Sequence, residues 1–96
     1  MAGYSLSVKA GFDIEEILIH SLDNWGLEQA ETYKEGLENC LTLLSKNPYL
    51  GASVEWTKTE LRSFPYKSHI VFYLVREVDI YVIRILHQRM DYESYL

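Results

Sequence analysis

The fold is decided by Ser68-His69-Ile70-Val71-Phe72-Tyr73-Leu74-Val75-Arg76, then Glu77-Val78, then Asp79-Ile80-Tyr81-Val82-Ile83-Arg84-Ile85-Leu86-His87. Val71 to Val75 are apolar in succession, and so are Ile80 to Ile83. Apolar runs of strand length without alternation belong to strands covered on both faces. Glu77 and Val78 leave room only for a tight turn, so the strands Ser68 to Arg76 and Asp79 to His87 pair as an antiparallel hairpin. One face of that hairpin needs a helical layer from elsewhere in the chain, and the other wants a further cover. Leu61 to Tyr66 reads as a third strand, and Pro65, which has no N–H to give a ladder, marks an edge or end of it.

Upstream, the period of the pattern changes. Tyr4 to Val8 alternates apolar and polar, as a half-buried strand does. From Phe12 onward, Ile14, Ile17, Leu18, Leu22 and Trp25 form one stripe of an amphipathic helix. Asp13, Glu15 and Glu16 are then placed in its first turn, against the positive end of the helix dipole. Gly26 follows where that helix would end, because glycine accepts a left-handed conformation without a Cβ clash. A second stripe of Ala30, Tyr33, Leu37, Cys40, Leu41 and Leu44 predicts a second helix, halted by Asn47-Pro48 because the residue before proline is pushed out of the α region. So short a connection makes the pair an antiparallel helical hairpin. Residues 49–59, Trp56 among them, read as a loop. The expectation is an α+β two-layer domain in the order β-α-α-β-β-β. An antiparallel-dominated sheet of about four strands, joined by the first strand to find partners, packs on the N-terminal helical hairpin.

The chain of 96 residues has room for one domain, 1–96. Apolar residues make up 48% and charged residues 24%, ordinary values for a globular protein. No run approaches the roughly 20 apolar residues of a membrane span, and the first residues lack the basic-then-apolar pattern of a secretory signal. Cys40 is the only cysteine, which excludes an internal disulfide and fits a reducing compartment. These features predict a cytoplasmic protein with no membrane association.

The net charge of −5 is uneven: residues 1–48 carry three lysines against eight carboxylates, whereas residues 49–96 carry six bases against six acids. Affinity for nucleic acid comes largely from Lys and Arg displacing counterions. An acidic chain with locally balanced bases is therefore not expected to bind nucleic acid directly.

Few residues could carry chemistry. His20, His69 and His87 are far apart in sequence and lack metal-ligand spacing, so no metal or cofactor is expected. His20 reads as a surface or boundary residue and His69 as structural. Cys40, on an apolar stripe, reads as a buried small hydrophobe rather than a reactive thiol. Strict alternation puts Ile80, Val82, Arg84 and Leu86 on one side of their strand, so Arg84 projects from an apolar face. It needs a carboxylate there, whether from an acidic helix residue or from a binding protein. Tyr92, Tyr95 and Leu96 read as a C-terminal clasp over the core. With no catalytic set evident, Arg62, Tyr66, Tyr73, Arg84, His87 and Arg89 remain as candidates for contacting a target or partner.

Trp25-Gly26 with Gln29-Ala30 and Tyr33 resembles the helix–helix junction of ParE-type toxins in the RelE/ParE superfamily. Asn47-Pro48 with Gly51 resembles the loop after their second helix. Leu61-Arg62-Ser63-Phe64-Pro65-Tyr66 through His69, Ile70, Phe72 and Tyr73, and Ile83 through Asp91, are similar to the rest of that family. Ala52 stands where the family often has arginine, and Glu60 where glycine is common; both concern the loop surface. The resemblance implies one RelE/ParE-like domain acting as the toxin of a type II toxin–antitoxin pair. It implies inhibition of DNA gyrase by binding, without enzymatic activity, and neutralisation by a ParD-like antitoxin that would cover the apolar sheet face. The alternative is the ribosome-dependent mRNA cleavage of RelE relatives, for which Arg62, Arg84 and His87, with Tyr92, would be the acid–base and charge-stabilising groups.

Overall fold

A computed structural model describes residues 3–55 and 60–96. Trp56 lies outside the described residues. The order is β1 (Tyr4–Leu6), α1 (Val8–Trp25), α2 (Leu27–Lys46), β2 (Ala52–Ser53), β3 (Leu61–Tyr66), β4 (His69–Val75), β5 (Ile80–His87) and a short α3 (Tyr92–Tyr95). The sheet has five strands in the order β1-β5-β4-β3-β2. The expected element order holds, with two-residue β2 added from the segment read as loop.

β1 pairs parallel with β5, Tyr4 opposite Ile80 and Leu6 opposite Val82, while the other pairings are antiparallel. The strand stops at Leu6 rather than Val8 because Ser7 caps α1: its Oγ accepts the Ala10 N–H at 2.9 Å. The helix therefore starts at Val8, four residues before the position expected at Phe12. Asp13, Glu15 and Glu16 consequently lie in its body, not in its first turn. Gly26, at φ 90°, alone separates α1 from α2. Asn47 ends α2 where Asn47-Pro48 predicted.

The helix-facing core is built from Ala10 of α1, from Leu37, Cys40, Leu41 and Leu44 of α2, and from Val71, Tyr73, Ile80, Val82 and Ile85 of the sheet. A smaller cluster occupies the outer face, where Val54, Leu61, Phe72 and Leu86 meet Ile70, Leu74, Ile83 and Tyr92. The further cover wanted there comes partly from the chain's own tail, with the Tyr92 ring 5.2 Å from that of Phe72. Cys40 is buried, and burial pushes its thiol pKa up. Pro65 lies beyond the reach of β2, which pairs only with Ser63 and Arg62, so that length of β3 is an edge.

Alternation along β5 breaks at a bulge. Phe72 pairs with Arg84 but Tyr73 pairs with Val82, leaving Ile83 as an extra residue. Ile80 and Val82 face the helices, Leu86 faces outward beside Phe72, and Ile85 returns to the helical side. Strict alternation had placed Arg84 and Leu86 with Ile80 and Val82; the bulge reverses that phase.

Candidate functional site

Because β1 has only three residues, β5 beyond Val82 has no strand on the side away from β4, and α1 lies along that edge. Ser7 takes up two groups there: its N–H donates to the Val82 carbonyl at 2.9 Å and its Oγ to that of Ile83 at 2.6 Å. Asp13 continues the role of a missing strand. Its carboxylate accepts the Ile85 N–H at 3.0 Å and a two-pronged pair of bonds from Arg84 Nε and Nη2, both at 2.8 Å. Arg84 also donates to the Tyr95 carbonyl at 3.2 Å, and its guanidinium lies 5.6 Å from the Tyr95 ring centre. The carboxylate that Arg84 was expected to need is thus an internal one, and the tail clasps the same group. The Asp13 bonds raise the Arg84 pKa still further above its ordinary value.

The other candidates are scattered. Arg62 donates to the Gly51 and Tyr49 carbonyls and lies over the Tyr49 ring at 5.1 Å. Tyr73 was expected at a contact surface; it is instead fully buried, its hydroxyl donating to the Pro48 carbonyl at 2.8 Å and accepting the Gly51 N–H at 2.9 Å. It anchors the 48–51 segment to the sheet, and no partner can touch it in the folded protein. Gly51 is required at this contact, since a Cβ there would lie 2.8 Å from the Ser63 carbonyl oxygen. Tyr66 packs edge-on to Tyr33 at 5.3 Å, over a glycine of α2, Gly36, that leaves room for its hydroxyl. Arg89 is exposed in the turn after β5.

His87 belongs to a different constellation, assembled where sequence separation had seemed to keep the histidines apart. A cleft of about 710 Å³ runs between the helical hairpin and the ends of β4 and β5, and His20, His69 and His87 all line it. The His69 and His87 rings meet edge-on at 5.3 Å as partners across the β4–β5 ladder. Behind them Tyr33 of α2 shares a 2.7 Å hydrogen bond with His69 Nδ1. Burial, then the neighbouring Tyr66, pushes the Tyr33 pKa up to about 12, so it remains a phenol. Burial, followed by the charges of His87 and His20, lowers the His69 pKa. The amide N–H of Arg89 donates to His87 Nδ1 at 3.1 Å, which puts the neutral ring's own proton on Nε2.

Lys67 sits at the mouth. It lies in the two-residue turn between β3 and β4 with φ 52°, a left-handed conformation that lysine adopts at a cost of roughly 1 kcal/mol. Its ammonium is held 5.5 Å from the Tyr33 ring centre and 5.6 Å from that of Tyr66. Among the described residues, no three His, Cys, Asp or Glu side chains stand together as a metal site requires.

A second surface lies on the outer side of α1. Val8, Phe12, Ile19 and Leu22 are 76%, 61%, 52% and 45% exposed. At 3.6 residues per turn they fall within about 80° of arc, opposite the buried Ala10 and Ser21. The predicted stripe is therefore only half used. Ile14 and Ile17 pack on the core, whereas Leu22 faces outward and Trp25, 72% exposed, lines the histidine cleft. Glu15 lies within the outward row, with Glu16 and Asp23 beside it. Among the described residues, no helix is long and apolar enough to cross a membrane.

A helical hairpin followed by this sheet is shared with a solved structure described as the chromosomal ParDE TA system from P. aeruginosa. The two agree with a TM-score of 0.75 over 91% of this chain and 96% of that one, at 19% identity, a level that speaks for the fold alone. The fold is thus an α+β domain with the order β-α-α-β-β-β and β2 inserted. Sequence carries the assignment further. Residues 4–92 match the family described as ParE toxin of type II toxin-antitoxin system, parDE. Toxin ParE1 of Caulobacter vibrioides is 34% identical over 96 residues, covering 100% of this chain and 99% of that protein. Toxin ParE1 of Mycobacterium tuberculosis is 37% identical over 94 residues, covering 97% and 96%. The chain belongs to the ParE toxin family.

Proposed function

We propose that the protein acts in the cytoplasm by binding DNA gyrase and stalling it, without catalysing a reaction itself, and that a ParD-like antitoxin silences it. The observation that carries this reading is the dispersal of the groups that RNA cleavage would need. Arg62 pairs across the ladder with Tyr73, whereas His87 pairs with His69, which in turn pairs with Tyr66. Four residues of strand, or about 13 Å, separate those two rungs. Arg84 is held by Asp13 and the tail, and Arg62 by backbone carbonyls. A phosphodiester cannot meet all three at once, and the locally balanced charge gives RNA little general attraction. What the surface does offer is suited to binding. An apolar row on α1, bordered by carboxylates, fits an amphipathic segment with basic residues at its margins.

The test is a gel assay of gyrase with relaxed plasmid and the purified protein. Loss of supercoiling with accumulation of linear DNA is the expected result. Normal supercoiling in the presence of excess folded protein would refute the proposal, and mRNA cleavage on translating ribosomes would then be assayed with Arg62, Arg84 and His87 variants.

A further inference from the structure

The 48–51 segment that follows α2 is held more firmly than an exposed connection requires. The buried Tyr73 hydroxyl spans it, donating to the Pro48 carbonyl at 2.8 Å and accepting the Gly51 N–H at 2.9 Å. Gly51 lies so close that a Cβ there would stand 2.5 Å from the Tyr73 hydroxyl oxygen. Arg62 of β3 adds a further tie: its Nε donates to the Gly51 carbonyl at 2.9 Å and its Nη2 to that of Tyr49 at 3.3 Å. Yet the two side chains that this framework carries stand in solvent, Tyr49 at 70% and Leu50 at 50% exposure. The Arg62 guanidinium lies 5.1 Å from the Tyr49 ring centre, and an exposed contact of that kind contributes little to stability. The framework thus fixes two apolar side chains that the fold itself does not use.

We infer that Tyr49, Leu50 and Arg62 form the surface that grips gyrase, meeting a protein surface with an apolar recess for the two side chains and a carboxylate for the guanidinium. The inference rests on the gyrase reading above and names the contact residues for it. Tyrosine and arginine are among the residue types that dominate the energetics of protein–protein contacts. Fixing them beforehand removes the ordering cost that a mobile loop incurs on binding. Among the described residues, no carboxylate forms an ion pair with Arg62. Backbone carbonyls orient its guanidinium without neutralising it, so a carboxylate of the partner completes the set. Over residues 46–62 three bases stand against two acids, too small an excess to draw in a phosphate backbone, which favours protein over DNA as the occupant. Arg62 also stands four residues along β3 from Tyr66, whose rung carries His69 and His87, so this surface is separate from the histidine cleft.

The experiment compares variants of the full-length protein in the gyrase supercoiling assay, with antitoxin affinity and the urea midpoint measured on the same preparations. Tyr49→Ser is expected to raise the concentration for half-inhibition by about tenfold or more, the usual effect of truncating a dominant contact residue. Leu50→Ser and Arg62→Gln should each raise it several-fold. Because the Tyr49 ring is exposed, Tyr49→Ser should keep the urea midpoint and the antitoxin affinity of the wild type. Val78→Ser, at a 72% exposed position before β5, should inhibit gyrase as the wild type does. Full inhibition by both Tyr49→Ser and Leu50→Ser would overturn the inference and leave the gyrase reading standing. So would an equal loss of gyrase inhibition and antitoxin affinity, the mark of general damage. Binding of plasmid DNA by the isolated wild-type protein, abolished in Tyr49→Ser, would put DNA at this surface and overturn it as well. A wild-type protein that leaves supercoiling untouched would overturn both readings.

Discussion

Replacing Asp13 by alanine tests how the free edge of β5 is maintained. The carboxylate accepts three N–H groups, two from Arg84 and one from Ile85, and the side chains of Arg84 and Asp13 are only 14% and 11% exposed. Deleting one member of a largely buried pair costs roughly 3–5 kcal/mol, because the other charge is left without compensation. The orphaned Ile85 amide lies within that range rather than beyond it, since water can reach an opened edge. A domain of this size has a total stability of about 5–15 kcal/mol, so the variant should lose roughly a fifth of it or more. At a urea slope of about 1.5 kcal/mol per molar, the midpoint should fall by roughly 2 M or more. Equilibrium unfolding followed by far-ultraviolet circular dichroism measures this directly. The double variant Asp13→Leu with Arg84→Met should be more stable than Asp13→Ala alone, because it removes the stranded charge. A midpoint for Asp13→Ala close to that of the wild type, or a double variant whose loss equals the sum of its singles, would refute the argument.

Tyr73→Phe should cost about 1–3 kcal/mol, since it leaves the Pro48 carbonyl and the Gly51 amide without their partner; urea denaturation reads the loss. Leu41→Ala, at 1% exposure in the helix-facing core, should cost about 2–5 kcal/mol in the same assay. The lowered pKa of His69 means that the unfolded chain takes a proton near pH 6.5 that the folded protein still refuses. Its contribution is therefore present above about pH 6.5 and is lost as pH falls through that value toward the folded one. His69→Gln should flatten the decline in stability between pH 7 and pH 5. Tyr33 acts at the other extreme: with its pKa raised to about 12, stability should fall as pH rises above 10, and Tyr33→Phe should remove that part of the alkaline loss.

Much of the architecture is legible because it rests on period. The two helical stripes, Gly26, Asn47-Pro48 and the unbroken apolar runs of β4 and β5 each act within a few residues. What escaped depends on contacts distant in sequence. Three residues of β1 carry no signal for a parallel partner some 76 positions away. The hydroxyl of Ser7 draws the start of α1 back to Val8, while apolar spacing alone points to Phe12. The histidine cleft was missed for a countable reason. Val75 pairs with Ile80, and counting back from there puts His69 opposite Leu86; the extra residue at the bulge moves it to His87. Tyr73 was misplaced for a related reason, since an aromatic in a doubly covered strand gives no sign of which buried groups its hydroxyl will meet. Arg84 was read correctly as needing a carboxylate, though only the structure shows that Asp13 supplies it.

The parallel pairing of β1 with β5 has a consequence for synthesis. The first strand cannot take its place until Ile80 has left the ribosome, because Tyr4 has no other neighbour in the sheet. At 5–20 residues per second that is a delay of roughly 4–15 s. During that interval the helical hairpin emerges with Leu37, Leu41 and Leu44 facing no sheet, since every strand but the still unpaired β1 is encoded downstream. The chain therefore becomes a folded object nearly all at once, at the end of translation, and a truncation before β5 should yield a product that neither folds nor acts.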